Sequence, residues 1–321
     1  MNEILEKEGG GGFGTRRFDL ESALERFPLT TKGGAFGPSR RFVGHGHNIY
    51  GKPFLSLRFR RRAWTLLRRL NLDISWFNEF SSYWSSVLQQ RPLWGVQDFF
   101  FLRAYYRLFF QNLSVGDTAS DEEHNAAFQD PRTIYFLFHQ IFKESLLTET
   151  TMWRKVVGHT GAWPRAVLEY GCAAAPVTTS LFEFFPRKAR TLDIYLADLE
   201  SFAFQFGAFK FRHADNVHPI VLRPENGLQL DVDIAVDLIF CMTVYEHMNA
   251  PIETTRRFHQ ILRPGGVLIF DYIKSEGSGL DTEVGLKERS AVLRFIAENF
   301  DIREGDIGEN APTQLIVAQK R

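Results

Sequence analysis

Val167-Leu168-Glu169-Tyr170-Gly171-Cys172-Ala173-Ala174-Ala175-Pro176 is the stretch whose reading decides the fold. An apolar run ends on a carboxylate, passes through a turn of small residues and opens into an amphipathic segment. A strand, a tight turn and a helix in that order suit a nucleotide. Small residues let the backbone approach a ligand, and the start of the helix presents unpaired N–H groups. The stretch lacks a full G-x-G-x-x-G, and an ordinary strand-to-helix turn also uses small residues, so its neighbours decide its meaning.

Downstream, apolar runs at 191–198, 219–222, 236–241 and 265–272 alternate with helical patterns, and weaker ones follow at 300–303 and 313–318. Near-continuous apolar strands separated by helices predict an α/β fold, a mostly parallel sheet with helices on both faces. Such sheets bind ligands at the carboxyl ends of their strands. The run 191–198 ends at Asp198-Leu199-Glu200, where a carboxylate suits a forked hydrogen bond to ribose hydroxyls or a cap for a helix near Ser201. The run 236–241 ends at Cys241-Met242-Thr243-Val244-Tyr245-Glu246-His247, with Glu246 in an early helical turn.

Taken together these blocks resemble the class I S-adenosylmethionine-dependent methyltransferases. Asp237 to Met248 looks like that family's fourth-strand motif, Leu262-Arg263-Pro264-Gly265-Gly266-Val267-Leu268-Ile269 like the following turn and fifth strand, and Val167 to Pro176 like its first motif. The resemblance implies a Rossmann-like seven-stranded sheet with its last strand antiparallel, and S-adenosyl-L-methionine as cofactor. It implies that Glu169 holds the methionine amino group, directly or through water. Gly171, Cys172 and Ala173 would let the backbone approach methionine and ribose, and Asp198 would bind the ribose hydroxyls with Leu199 against the adenine. Met242 and Thr243 would line the methionine end and the path to substrate.

Two departures from the pattern stand out. Ala173 and Ala175 occupy the places of the second and third glycines, so the turn is expected to avoid left-handed geometry there. Asp198 lies 29 positions after Glu169, beyond the interval of about 20 usual in nucleotide folds, and one long helix from Val177 to Lys188 would absorb the excess.

Upstream the texture differs. Residues 1–50 form a Gly-rich arm, residues 51–150 an aromatic-rich helical region, and residues 151–321 the methyltransferase-like domain. Helical patterns run over 74–90, 96–112 and 131–147, and this region is expected to cover the cleft and supply the acceptor pocket. The chain carries no net charge, yet residues 1–72 hold 14 Lys/Arg against 6 Asp/Glu, a net of +8 that the remainder balances. Much of it lies on an amphipathic helix with Arg58, Arg61, Arg62, Arg68 and Arg69 on one face, suited to a nucleic acid or an anionic membrane surface, or simply to solvent.

The longest apolar run, 99–110, is broken by Arg103 and Arg107, which excludes a transmembrane helix there, and the first residues are unlike a signal peptide. Two cysteines, Cys172 and Cys241, in apolar contexts argue against a disulfide framework and for the cytoplasm. His45 and His47 form an H-x-H pair that no Cys or carboxylate completes, so no metal is expected.

Methyl transfer asks a protein mainly to align the reacting atoms and exclude water. A base is needed only if the acceptor must lose a proton, and the candidates are His247, Tyr272, Tyr135 and His139. The aromatic wealth points to a small or lipophilic acceptor. The alternatives are a methyltransferase-like binding or scaffold protein that has lost catalysis, and a nucleic-acid or protein methyltransferase guided by the basic helix.

Overall fold

The computed structural model describes residues 75–88, 120–144, 162–274, 280–308 and 313–321 continuously, with scattered residues between 66 and 159. The Gly-rich arm, His45 and His47, and all the arginines of the basic helix lie outside the described residues. Among the described residues no helix is long and apolar enough to cross a membrane.

Seven strands form one sheet: β1 (Ala166–Tyr170), β2 (Asp193–Leu199), β3 (Val217–Leu222), β4 (Val236–Cys241), β5 (Leu262–Phe270), β6 (Phe300–Glu304) and β7 (Ile316–Lys320). Their order is β3-β2-β1-β4-β5-β7-β6. The first five pair in parallel, while β7 runs antiparallel to both β5 and β6. Tyr170 pairs with Ala197 on one side and Cys241 on the other, so Gly171, Asp198 and Met242 leave the sheet at one level. The strand order reverses between β1 and β4, and that switch point is where parallel sheets open a crevice.

Alternate strand residues feed two cores. Leu168, Tyr170, Ile239, Cys241, Leu268 and Phe270 pack on one face with Phe258, Ile261, Val292 and Ile296. These last come from α7 (Pro251–Ile261) and from α9 (Arg289–Asn299), which follows the short α8 (Glu283–Lys287). Val167, Ile194, Leu196, Leu238, Phe240 and Val267 pack on the other with Val177, Leu181 and Phe204. Those belong to α4 (Pro176–Phe184) and α6 (Phe202–Lys210). Period-two alternation with apolar residues on both faces is what burial from two sides requires.

The expected helix from Val177 to Lys188 is in fact two, α4 and the short α5 (Pro186–Ala189). Pro186 disfavours helical geometry at Phe185, which sits at φ −132° and ψ 50°. The Arg-Pro-Gly-Gly segment, expected as a turn, lies within β5 as a bulge: Val236 pairs with Leu262 and Leu238 with Val267. Gly265 at φ 75° makes that bulge.

The N-terminal region contributes α1 (Ser75–Ser86), α2 (Asp121–Phe128) and α3 (Ile134–Glu144). Between α1 and α2, Val96, Phe99, Leu102, Tyr106 and Phe110 are helical. They join a third core with Phe80, Tyr83, Trp84 and Phe138 that closes on Phe202, Phe206 and Phe209 of α6. Helix α6 (Phe-Ala-Phe-Gln-Phe-Gly-Ala-Phe-Lys) is apolar around most of its circumference because it is covered on both sides.

Candidate functional site

The turn after β1 folds against expectation. Gly171, Ala173 and Ala175 have φ of 63°, 45° and 55°, so both alanines adopt the left-handed geometry the sequence reading excluded. For alanine this costs about 1–2 kcal/mol each, and hydrogen bonds offset it. Gly171 N–H donates to Ala197 O (2.8 Å), Ala173 N–H to Asp198 Oδ2 (2.5 Å) and Ala175 N–H to Cys172 O (2.6 Å). Gly171 is required for space as well, since a Cβ there would lie 2.3 Å from Val244 Cγ2.

Glu169 leaves β1 buried and caps α4. Its Oε1 accepts from Val177 N (3.1 Å), and its Oε2 accepts from Thr178 N (2.9 Å) and Thr178 Oγ1 (2.6 Å). Pro176, which has no N–H, holds the first position of that helix. Burial pushes the Glu169 carboxyl up to about 7, against the pull of these bonds and of Lys210. Asp198, at the end of β2, accepts from Ala173 N through Oδ2 and from Leu199 N through Oδ1 (2.6 Å). Burial raises it to about 6, against the same two N–H donors and the charge of His247. Ser201 caps α6 by accepting from Phe204 N (3.2 Å), so the cap and the strand-end carboxylate are different residues.

At the end of β4, Thr243 is also left-handed (φ 59°) and its N–H donates to Asp271 Oδ1 at 2.5 Å. His247 Nδ1 lies 3.0 Å from Leu280 O and 3.2 Å from Asp281 Oδ1, and its Nε2 lies 3.7 Å from Glu246 Oε1. Burial lowers the basicity of the His247 ring, but the Asp281 hydrogen bond and the Glu246 and Asp281 charges outweigh it and hold the pKa above the ordinary value.

These strand ends bound a cleft of about 380 Å³. The structure brings Glu169, Gly171, Cys172, Ala173, Asp198, Leu199, Met242 and Thr243 together on its wall, with His247 and His139. Tyr272 and Tyr135 do not line it. Tyr272 is buried against Tyr245 (ring centroids 4.8 Å) and its hydroxyl donates to Gly285 O. Tyr135 packs in the N-terminal core against Phe110 at 5.2 Å.

Residues of the N-terminal region, His124, Phe128, Phe136, His139 and Gln140, also line the cleft. Asp121 Oδ1 accepts from Asn249 Nδ2 (2.8 Å), which ties α2 to the loop after β4. The sequence reading missed α2, although Ser120 and Glu123 form a capping box in which each side chain bonds the other's backbone N–H. It therefore missed His124, which is 2% exposed. It also missed Gly207, where a Cβ would meet Ala173 O at 2.9 Å, so only glycine lets α6 pass this close under the turn.

Residues 142–298 match the family model described as a methyltransferase domain. A tRNA U34 carboxymethyltransferase of Shewanella denitrificans is 30% identical over 166 residues, 51% of this chain and 49% of that one. The chain thus spans about half the length of that curated relative. An O-methyltransferase family protein from Burkholderia thailandensis aligns over 73% of this chain and 76% of its own, at 13% identity and a TM-score of 0.46. A 1,6-didemethyltoxoflavin-N1-methyltransferase from the same species, solved with 1,6-didemethyltoxoflavin and S-adenosylhomocysteine, aligns over 64% and 92% at 18% identity and a TM-score of 0.44. With its 3-2-1-4-5-7-6 sheet and the family match over residues 142–298, that part of the chain is a methyltransferase domain of the S-adenosylmethionine-dependent type.

Proposed function

We propose that the cleft binds S-adenosylmethionine and that the protein transfers its methyl group to a small acceptor lying against the cap. The observation that supports this best is the convergence of Gly171, Asp198 and Met242 at one level of the sheet, with an acidic residue at the end of β2. The residues fit the cofactor. The Gly171 turn offers backbone with no room for a side chain, Asp198 offers carboxylate lone pairs to a diol, and Leu199 gives an apolar neighbour for a base. Glu169 would take the amino-acid end, its orientation fixed by the three hydrogen bonds it accepts from Val177 and Thr178.

When bound, S-adenosylmethionine supplies a methyl group already activated on a sulfonium. The chain's part is to hold, orient and keep water away. The apolar cap residues Phe128 and Phe136, with Met242 and Met248 opposite, serve the last of these. The cap closes the cleft with aromatic side chains, which favours a small acceptor over the tRNA named for the relative. A tRNA acceptor would draw on the basic segment from Arg58 to Arg69. Two cysteines, both free and buried, support a cytoplasmic setting.

Calorimetry with S-adenosylmethionine and S-adenosylhomocysteine tests the reading: binding is expected for the wild-type chain, and no heat with either ligand would end it. Asp198→Ala is expected to weaken both on the order of a hundredfold, by removing charge-assisted hydrogen bonds. Unchanged affinity would mean that another residue, Glu200 being nearest in sequence, holds the ribose.

A further inference from the structure

Thr243 has the least expected backbone of the residues lining the cleft. It is exposed, stands next to Met242 where β4 leaves the sheet, and is left-handed at φ 59°. A β-branched residue rarely takes that geometry. Strain of this kind persists only where the surroundings impose it, and it clusters at ligand sites.

Asp271 imposes it here. Tyr170 pairs with Cys241 and Cys241 with Phe270, so Asp271 leaves β5 at the same level as Gly171 and Met242. Its Oδ1 accepts from Thr243 N–H at 2.5 Å, and its Oδ2 lies 3.5 Å from Thr243 Oγ1. Asp198 repeats the device on the other side of the switch point. Its Oδ2 accepts from the N–H of Ala173, left-handed at φ 45°, in the turn after the neighbouring strand β1. Two strand-end carboxylates, on β2 and β5, thus each hold a left-handed residue other than glycine in the adjacent turn.

The two held turns meet. Val244 follows Thr243, and its Cγ2 lies 2.3 Å from where a Cβ on Gly171 would sit, so its isopropyl group fills the space that glycine leaves. The rest of the turn after β4 is fixed from another side. Thr282 N–H donates to Glu246 O (2.9 Å), and Thr282 Oγ1 donates to Met248 O (2.6 Å). Gly171, Met242, Thr243 and Val244 all line the cleft, while Asp271 does not. A rotation of Thr243 out of left-handed geometry would carry Val244 off Gly171 and disturb both turns at once.

We propose that Asp271 is a positioning residue for S-adenosylmethionine, a proposal that rests on the methyl-transfer reading above. By clamping the Thr243 N–H it seats Val244 against Gly171 and fixes the wall at the methionine end of the cofactor. Asp271 acts through Thr243 and not by contact with the cofactor.

The test is calorimetry of the full chain with S-adenosylhomocysteine, with folding followed by circular dichroism. Asp271→Ala is expected to weaken binding about tenfold, the order of one hydrogen bond to a charged group. Asp271→Asn keeps an oxygen that can accept from Thr243 N–H and should stay within about threefold of the wild type. Glycine takes positive φ without help, so Thr243→Gly separates the clamp from any other role of the carboxylate. In that background Asp271→Ala should cost less than about twofold, because the clamp has nothing left to hold. A carboxylate needed only for folding would lower the melting temperature and leave the affinity of the folded protein unchanged. Unchanged affinity in Asp271→Ala, or an equal loss with and without Thr243→Gly, would overturn the proposal. Should Asp271→Ala fail to fold, the double variant decides: folding with binding supports the clamp, and failure of either overturns it. Absence of S-adenosylhomocysteine binding by the wild type would instead remove the reading beneath it.

Discussion

Ala173 and Ala175 carry the site's stored strain, and what holds them is electrostatic. The Asp198 carboxylate pulls on Ala173 N–H from across the turn, so the residue expected to hold the ribose also shapes the loop. Half-buried Ala173 gives a clean test. Ala173→Gly removes a left-handed penalty of about 1–2 kcal/mol and adds about 0.4–1 kcal/mol of unfolded-chain entropy. Urea unfolding should therefore show a gain of up to about 1.6 kcal/mol, and a loss would mean that position 173 is not left-handed. A second residue-scale expectation concerns pH. The fold raises Glu169 from 4.5 to about 7 and so favours its protonated form. That contribution is fully present below the unfolded value and is lost as pH rises through the folded one. Without ligand, stability should fall by about 3 kcal/mol on this account between about pH 4.5 and 7. Asp198 adds a fall in the same direction as pH rises from 3.8 to about 6. Glu169→Gln, which cannot ionise, should flatten the unfolding free energy across that window, and an equally steep curve in the variant would place the titrating group elsewhere.

Helix α6 decides more about the site than its sequence suggests. It packs on both the sheet and the N-terminal helices, and a Cβ on its Gly207 would lie 2.9 Å from Ala173 O and 3.2 Å from the Ala174 carbonyl carbon. Gly207→Ala gains about 1 kcal/mol of helix propensity, but overpacking against backbone costs about 1–3 kcal/mol, and the clash should win. The expected outcome is a lower melting temperature together with weaker S-adenosylhomocysteine binding, because the turn must shift. A stabilised variant with unchanged binding would show that the helix yields instead. The strands were legible from apolar runs, and all seven stand close to their expected positions. Boundaries failed where local chemistry competed with pattern: Pro186 split one helix, and the bulge at Gly265 drew an expected turn into β5. Helix α2 escaped because its short apolar face gives little periodicity, although its capping box was readable.

The whole molecule joins the cap to the methyltransferase domain through aromatic packing. Phe206 touches Phe80 (6.2 Å) and Tyr83 (5.3 Å), and the Tyr83 hydroxyl reaches Phe202 O (3.4 Å) and Gln205 Oε1 (3.3 Å). Phe206→Ala should cost about 3–5 kcal/mol. Hydrogen exchange is expected to rise in α1 and α3 while strands β1 and β4 stay protected; uniform loss of protection would mean that cap and sheet unfold as one unit. The sequence by itself determined the strands and the residues at their ends, because apolar periodicity and small-residue turns are local signals, while the strand order and its switch point came from the structure. Which imidazoles and hydroxyls face the cleft was decided only by the tertiary structure. Tyr272 and Tyr135 were drawn into cores while His124 was brought in from a helix 47 residues before the turn at Gly171, since burial and packing partners depend on segments far apart in the chain. That turn shows both halves of the answer. Its small residues announced a tight turn, but only the reach of Asp198 and the missing side chain of Gly207 explain how alanines serve where glycines were expected.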